Sequence, residues 1–374
     1  MIIGGLIGGF AQAAEVSRAP YGVTAKGEAI EAFTLKNSRG VSARVLDYGG
    51  IIDEVLVPDR KGACDNVVLS LADLRAYENR ANFGSLLGRY ANRISGGGFT
   101  LDGRRYELKG GVQGITSHGG PGGYGARHWS AQEFVSGESA GVVLHDISYD
   151  GENGFPGYVS MLVIFTLTQD NVLRIEYEAT TSQPTVLNPS HHVYFNLAGG
   201  GSIFEHRAQV FADRYTPIDD RKLPTGAIEP VDGTPLDLRT PTRLGDRVDV
   251  DHPQIRIARG FDQNFVLNKR VPGELTLAAR IEEPDTRRVL EVYTTEPGMQ
   301  LFTANSFNGA LKDVRGRPLD RGAGVALETQ HYPDSPNHPE FPSTVLRPGE
   351  KFRSLTEYRF LVGAAGAGAP HSCR

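Results

Sequence analysis

Hydrophobic and polar residues alternate over many short stretches of this chain, and turn-forming residues separate these stretches. Residues 159–168 and 172–181 flank a three-residue polar break, which predicts a long antiparallel pair of strands. A shorter hairpin is predicted at 99–101 and 104–108, where an Asp-Gly pair forms the turn. Further strands are predicted at 43–46, 66–71, 275–281, 289–295, 300–304, 324–329 and 354–362. The only helical patterns are short, for example at 72–79, so the chain is predicted to be all-β.

Composition agrees with short strands joined by tight turns. The chain has 46 glycines and 22 prolines among 374 residues, and glycine at about 12% exceeds its usual share of roughly 7%. Neither an internal repeat nor a linker divides the sequence. We therefore predict a single large antiparallel β-sandwich domain over residues 15–362 with few short helices.

The two ends of the chain differ from the rest. Residues 1–14 are apolar and then small, without charge, which is typical of the hydrophobic region and cleavage site of a secretory signal. This stretch is too short to span a bilayer, which takes about 20 residues. We predict export to the periplasm or the exterior, with a cytoplasmic location as the alternative. Residues 363–374 form a Gly/Ala-rich tail that is predicted to be flexible.

Charge and cysteine content exclude several classes of partner. The 39 Lys and Arg against 44 Asp and Glu give a net charge of −5 without a basic stripe, so nucleic acid is not an expected partner. After the leader, no apolar stretch approaches membrane-spanning length, so no membrane partner is expected. Cys64 and Cys373 lack metal-ligand spacing, and we predict neither a metal site nor a disulfide between them. The sequence leaves monomer and homodimer open.

The strongest signal for chemistry is a strand pattern at 188–197. Alternation places Val193, Phe195 and Leu197 on a core face and His192, Tyr194 and Asn196 on a polar face. An imidazole on such a face is suited to proton transfer near neutral pH. His191 falls on the core side and is predicted to be structural.

Two further strands carry polar residues in the same arrangement. Asp262 and Asn264 share one face of the segment 260–267, and Glu328 occupies the polar face of the segment 324–330. The proline-rich segment 331–342 follows at once and is predicted to wall one side of a cleft.

Two loops complete the set of candidate residues. Asn92 and Arg93 lie in an otherwise apolar frame, and His118 precedes a glycine run. That run lacks the spacing of a phosphate-binding loop, so we predict that its glycines let the backbone approach a ligand closely. Together with aromatic rings, these fork-shaped donors and carboxylates favour the binding of vicinal hydroxyls, as in a sugar.

Six motifs, in this order, resemble the aldose 1-epimerase (galactose mutarotase) family: GRYANRI, FTLDGRRYEL, SHGG followed by Trp129, HHVYFNLAG, GFDQNFVL and LETQHYPDSPNHPEFPS. The resemblance extends over about residues 22–362. It implies the large antiparallel supersandwich of that family, with interconversion of the α and β anomers of free glucose- or galactose-type aldoses. It also implies that no cofactor is needed and that the partner is a monosaccharide.

Motif by motif, the resemblance assigns the general acid to His192 and the general base to Glu328. It assigns substrate binding to Asn92, Arg93, His118, Asp262 and Gln300. Three neighbouring positions depart from the family pattern. His191 stands where an Asn is common, Gln263 stands where a His is frequent, and Glu296 stands where some members have Gln. These departures bear on sugar preference more than on reaction type.

Exchange of anomers requires that the hemiacetal ring opens, the aldehyde turns and the ring closes. We predict that protonated His192 protonates the ring oxygen while ionised Glu328 removes the C1 hydroxyl proton, with the roles reversed on closure. His118 is expected to assist by hydrogen bonding near these oxygens. Activity should therefore follow a bell-shaped pH profile.

Three other functions compete with this one. A glycoside hydrolase would use two carboxylates, for which Asp262 and Glu328 are candidates. A non-catalytic carbohydrate-binding module would need the aromatic rings but not the His–Glu pair. An epimerase of sugar phosphates should carry extra Arg or Lys near the motifs, and none is obvious there.

Overall fold

A computed structural model describes residues 14–111, 113–363 and 373 of the chain. Of the predicted leader it describes Ala14 alone, and of the predicted tail it describes Gly363 and Cys373. The rest of the leader and of the tail lies outside the described residues.

Alternating burial along two long strands shows how the largest sheet forms. Every second residue from Val159 to Leu167 is buried, and its neighbour Val172–Thr181 alternates in the same way. This period of two matches the alternation of side chains across a strand. The strands belong to an antiparallel nine-stranded sheet in the order Ser130–Ser136, Ser139–Ser148, Val159–Leu167, Val172–Thr181, Phe352–Val362, Arg288–Thr294, Thr276–Glu282, Arg207–Val210 and Thr242–Arg243.

A six-stranded antiparallel sheet packs against the nine-stranded one. Phe265, Leu301 and Leu327 on one of its faces are fully buried in the same core cluster as Val163 and Ile175 of the nine-stranded sheet. The opposite face is therefore free to carry polar residues. Its strands run in the order Tyr194–Phe195, Val325–Gln330, Gly298–Phe302, Asp262–Leu267, Ala212–Thr216 and Glu229–Pro230.

The N-terminal part of the chain forms a five-stranded meander that extends this core. Its Phe33, Val45 and Val55 are buried in the same cluster. The strands follow chain order: Glu15–Val23, Ala29–Lys36, Ser42–Leu46, Ile52–Pro58 and Cys64–Asn66.

Five short two-stranded pairs and a few helical turns connect these sheets. The pairs join Leu86–Leu87 to Ser190–His191, Arg93–Ile94 to Thr116–Ser117, Gly98–Leu101 to Arg104–Glu107, Thr185–Val186 to Val345–Leu346, and Asn308–Lys312 to Pro318–Asp320. The α-helices are Leu74–Glu78 and Pro253–Ala258, and single 3₁₀ turns occur at Tyr124–Ala126, Glu152–Gly154, Ile203–Glu205, Leu244–Asp246 and Ser335–Asn337. Within the described part of the chain, neither helix has the length and apolarity required to cross a bilayer.

The predicted all-β class is confirmed, and two predicted strands differ from the structure. Of the strand expected at 66–71, only Asn66 belongs to a strand, because the next residues cross from one sheet to another. Val67 N donates to Val55 O, and Leu69 N donates to Tyr194 O. The strand expected around His192 is divided into two short pieces, each bonded to a different partner.

The prediction that the two cysteines stay unpaired is wrong in this structure. Cys64 and Cys373 form a disulfide with their Cα atoms 5.6 Å apart, across 309 residues of sequence. The end of the last long strand, Phe352–Val362, lies near this edge, since Gly363 N donates to Arg287 O and Arg60 N donates to Thr286 O. Sequence alone could not show this proximity, because it depends on how the nine-stranded and five-stranded sheets pack.

Candidate active site

The predicted acid–base pair comes from a strand of the six-stranded sheet and from the segment that leads into its edge strand. Glu328 lies on the polar face of Val325–Gln330, directly opposite Gln300 of the next strand. His192 lies between two short strands, and its backbone N–H donates to Ser85 O at 2.8 Å. His192 Nε2 is 3.3 Å from Glu328 Oε1, so the two side chains are in direct contact.

Burial decides where the proton of this pair lies. The side chains of His192 and Glu328 are only 8% and 2% exposed. Burial disfavours the charged form of each group, so it raises the pKa of Glu328 to about 8 and lowers the pKa of His192 to about 4. Burial therefore favours the form of the free pair in which the carboxyl of Glu328 carries the proton. The form predicted from the sequence for ring opening, with the proton on His192 and Glu328 ionised, differs from this resting form by the position of one proton.

A polar network around Asp262 adjoins the pair. Arg93 Nη2 donates to Asp262 Oδ2 at 3.2 Å, and Gln300 Nε2 donates to Asp262 Oδ1 at 2.7 Å. Both carboxylate oxygens are thus engaged and fixed in direction. The negative charge of Asp262 also contributes to the raised pKa of Glu328, which places the two carboxyl groups within electrostatic reach.

Two hydrogen bonds join His118 and Asn92, whose φ angles are positive at 50° and 60°. His118 N donates to Asn92 O at 2.8 Å, and Asn92 N donates to His118 Nδ1 at 3.2 Å. Because Nδ1 accepts a hydrogen bond, the neutral ring carries its proton on Nε2 and can donate from there. Burial holds the pKa of His118 well below its usual range, so the ring is neutral.

All seven predicted site residues are therefore connected in one network. Asn92 Oδ1 accepts from Arg93 at 3.2 Å, and the rings of His118 and His192 lie with centroids 5.5 Å apart. Three buried polar atoms of the network, Glu328 Oε2, Gln300 Oε1 and His192 Nδ1, have no hydrogen-bond partner among the described residues. Buried polar atoms are rarely left unpaired, so these atoms indicate where a polar ligand binds.

Aromatic rings surround the histidine on its other sides. The rings of Tyr194 and Phe302 lie 4.7 and 6.0 Å from that of His192 between centroids. Tyr194 was on the predicted polar face, whereas Phe302 follows Gln300 in a strand that carried no chemical signal. Asn196, also predicted on that face, lies apart from the site and donates to the carbonyls of Gly201 and Ala323.

The proline-rich segment 331–342 and the glycine run after His118 differ in what they contact. The segment 331–342 contacts the site, since Asp334 N donates to Arg93 O at 2.8 Å. The glycine run after His118 makes its close approach to the protein's own backbone. A Cβ at Gly119, where φ is +83°, would lie 2.0 Å from Gly88 O. That glycine is therefore required by backbone packing, and the expected approach to a ligand has no support here.

One cation at the mouth of the site was missed by sequence reasoning. Lys222 Nζ is 3.5 Å from Asp262 Oδ2, and its side chain is 32% exposed. The residue lies in a turn about forty positions from Asp262 along the chain, and no local pattern marks it. A cavity of about 640 Å³ lies elsewhere, where His331 Nδ1 pairs with Glu296 Oε2 at 2.7 Å.

The only described cluster with the donor set of a metal site coincides with the acid–base pair. Ligand atoms of His118, His192 and Glu328 lie within 4.8 Å of one another. Two imidazoles and a carboxylate can hold a zinc-type ion. An ion there would occupy the same atoms that a proton-transfer mechanism needs.

Comparisons with known proteins identify the family of this chain and agree with its fold. A family model described as aldose 1-epimerase matches residues 31–359. A galactose mutarotase of Rattus norvegicus is 38% identical over 351 residues, which cover 93% of this chain and 99% of the relative. An aldose 1-epimerase of Escherichia coli strain K12 is 36% identical over 341 residues, which cover 90% of this chain and 96% of the relative.

A solved structure is similar over nearly the whole chain. The crystal structure of a galactose 1-epimerase from Lactobacillus acidophilus NCFM superposes with a TM-score of 0.83 at 28% identity, covering 94% of this chain and 100% of that one. Fold and site together define an isomerase of the mutarotase class built on a β-supersandwich. The chain belongs to the aldose 1-epimerase family, and the resemblance found in the sequence is confirmed.

Proposed function

We propose that this protein interconverts the anomers of a free aldose by proton transfer through His192 and Glu328. The observation that carries the proposal is the 3.3 Å contact between Nε2 of His192 and Oε1 of Glu328, whose side chains are both buried. The ring oxygen and the C1 hydroxyl are bonded to the same carbon, so two groups in contact can each reach one of them. Proton transfer by each well-placed group contributes about 10²–10⁴-fold in rate.

The pair can supply and remove all the protons that ring opening and ring closure require. Opening the ring requires protonated His192 and ionised Glu328, and it leaves neutral His192 and protonated Glu328. Burial favours this second form in the free site. The two forms hold the same number of protons, so one proton crossing the 3.3 Å contact prepares the pair for a cyclic sugar. Closure then runs the transfers in reverse and can deliver either anomer.

The surrounding network suits hydroxyl groups. Gln300 Oε1 is unpaired within the described chain, and Arg93 is partly exposed, so both can bond a sugar hydroxyl. Because both oxygens of Asp262 are already engaged, this carboxylate fits a binding role better than that of a glycosidase nucleophile. The relatives' names point to galactose, and we propose glucose- or galactose-type aldoses as substrates.

Polarimetry of freshly dissolved α-D-galactose and α-D-glucose tests the proposal. Glu328→Gln and His192→Asn should each lower the enzymatic rate by at least about 100-fold. Matched controls are Glu296→Gln, a buried carboxylate outside the network, and His191→Asn, the adjacent histidine that bonds Gly50 O. Mutarotation near the wild-type rate in either of the first two variants would contradict the assignment.

We also propose that the protein is exported. Both cysteines of the chain are joined in a disulfide, and such bonds persist mainly in oxidising compartments. The full chain, expressed in a bacterium, should be recovered in the periplasmic fraction without thiols that react with alkylating reagents. A chain without residues 1–14 should remain inside the cell with two reactive thiols. Recovery of the full chain from the cytoplasm alone would contradict export.

A further inference from the structure

The turn that carries Lys222 is fixed by hydrogen bonds within the turn itself. Lys222 N donates to Asp219 O at 2.8 Å, and the Asp219 carboxylate accepts from the backbone N–H groups of Arg221 and Leu223. Lys222 itself has φ of +61°, a conformation that glycine adopts with less strain. A lysine in this position costs backbone free energy, and a use for its side chain explains that cost.

A second set of bonds ties this turn to the site. Ile218, next to the turn, exchanges two backbone hydrogen bonds with the side chain of Gln254. Gln254 O in turn accepts from Gln263 Nε2 at 2.9 Å, and Gln263 Oε1 accepts from Asp262 N. The side chain of Gln263 is therefore one link between the Lys222 turn and the strand that carries Asp262.

Lys222 also contacts the predicted binding arginine. Its carbonyl oxygen accepts from Arg93 Nη1 at 3.3 Å, while its ammonium group lies 3.5 Å from the oxygen of Asp262 that Arg93 bonds. Asp262 is the only partner of Lys222 Nζ among the described residues, and the distance is long for a hydrogen bond. The ammonium has three donors, so at least two are available to a ligand.

From this geometry we infer that Lys222 is a further substrate-binding residue, which donates to an aldose hydroxyl held at the Asp262 side of the pocket. The inference rests on the proposed function for the identity of the ligand. Exposure of the side chains rises from 2% at Glu328 through 7% at Asp262 and 22% at Arg93 to 32% at Lys222. Lys222 thus binds the part of the sugar nearest the mouth, far from the bond that opens.

Calorimetric titration with D-galactose, together with polarimetric kinetics, tests this role. Lys222→Met should weaken binding and raise KM by about 10-fold, because a hydrogen bond from a charged donor is lost, while kcat stays within about twofold. Lys222→Arg should recover most of the affinity. The control is Arg221→Met, which removes an equal charge from the adjacent, 55% exposed position and should leave both constants unchanged.

A second comparison separates direct binding from an effect through Asp262. In an Asp262→Asn background, Lys222→Met should weaken galactose binding by a further threefold or more, since the sugar still loses a donor. The inference would be overturned if Lys222→Met caused no further weakening of galactose binding in this background. It would also be overturned if Arg221→Met weakened binding equally, or if Lys222→Met lowered kcat at unchanged affinity. If the wild type binds galactose without accelerating mutarotation, the proposed function fails while the binding data still decide on Lys222. If the wild type binds no aldose, both fail.

Discussion

The single proton shared by His192 and Glu328 determines how activity depends on pH. Burial separates the two pKa values to about 4 and about 8, and because the groups touch, these values belong to the pair. Below the lower value the pair gains a second proton, and above the higher value it loses its only one. We expect kcat/KM to be bell-shaped with limbs near these values, measured by polarimetry after subtraction of buffer-catalysed mutarotation. A profile that stays flat through the alkaline limb would contradict the raised pKa of Glu328.

Asp262 should act on binding more than on chemistry. Its oxygens bond Arg93 and Gln300, neither of which belongs to the proton-transfer pair. Asp262→Ala should raise KM for galactose by about 10-fold or more and lower kcat less, because hydrogen bonds to a charged group are lost. Asp170→Ala, at a carboxylate that is 80% exposed, is the control. A wild-type KM in Asp262→Ala would show that the carboxylate does not hold the sugar.

Several site residues could be assigned from alternating patterns in the sequence, whereas the charge states of His192 and Glu328 could not. His192, Asp262 and Glu328 occupy predicted polar faces, and the structure brings all three into one network. The protonation of His192 and Glu328 depends on burial, to which aromatic neighbours from other strands, such as Phe302, contribute. Lys222 was missed for the same reason, because only the folded chain brings its turn to Asp262.

Among the structural elements, the segment that delivers Asn92 and Arg93 depends on a buried arginine. Arg89 is 3% exposed and donates to Ser148 Oγ and to four carbonyl oxygens of the segment 148–157. Arg89→Met should lower the free energy of unfolding by about 3 kcal/mol, since these buried acceptors lose their donors. Urea denaturation measures this change. Arg60→Met, at an exposed position, should change it by less than about 0.5 kcal/mol, and an equally small effect at Arg89 would contradict the anchoring role.

Long elements were predicted from the sequence more closely than short ones. The pair predicted at 159–168 and 172–181 is observed as Val159–Leu167 and Val172–Thr181, because strict alternation over a long strand fixes which face is buried. The segment around His192 reads as one strand, yet its backbone changes partner from Leu86–Leu87 to Val325–Gln330. That change places His192, the proposed proton donor, at a break between two strand ladders. The local sequence pattern does not show where a strand changes its partner.

At the scale of the whole molecule, the disulfide joins the first sheet to the end of the chain. It links Cys64, in the fifth strand of the meander, to Cys373, which follows the strand Phe352–Val362 of the nine-stranded sheet along the chain. A bond across so long a loop restricts the unfolded chain strongly, and disulfides typically stabilise by about 2–4 kcal/mol. No described site residue contacts either cysteine, so the bond should affect stability without affecting catalysis.

Removal of this bond tests that separation. Cys64→Ala with Cys373→Ala should lower the free energy of unfolding by about 2–4 kcal/mol in urea titrations, while kcat/KM at 25 °C stays at the wild-type value. Dithiothreitol should destabilise the wild type to the same extent and leave the double variant unchanged, which excludes an unrelated effect of the reductant. If the double variant unfolds at the wild-type urea concentration, the bond contributes nothing to stability. If it keeps its stability but loses activity, the edge at Cys64 is coupled to the site, and the acid–base network cannot be treated as independent of that edge.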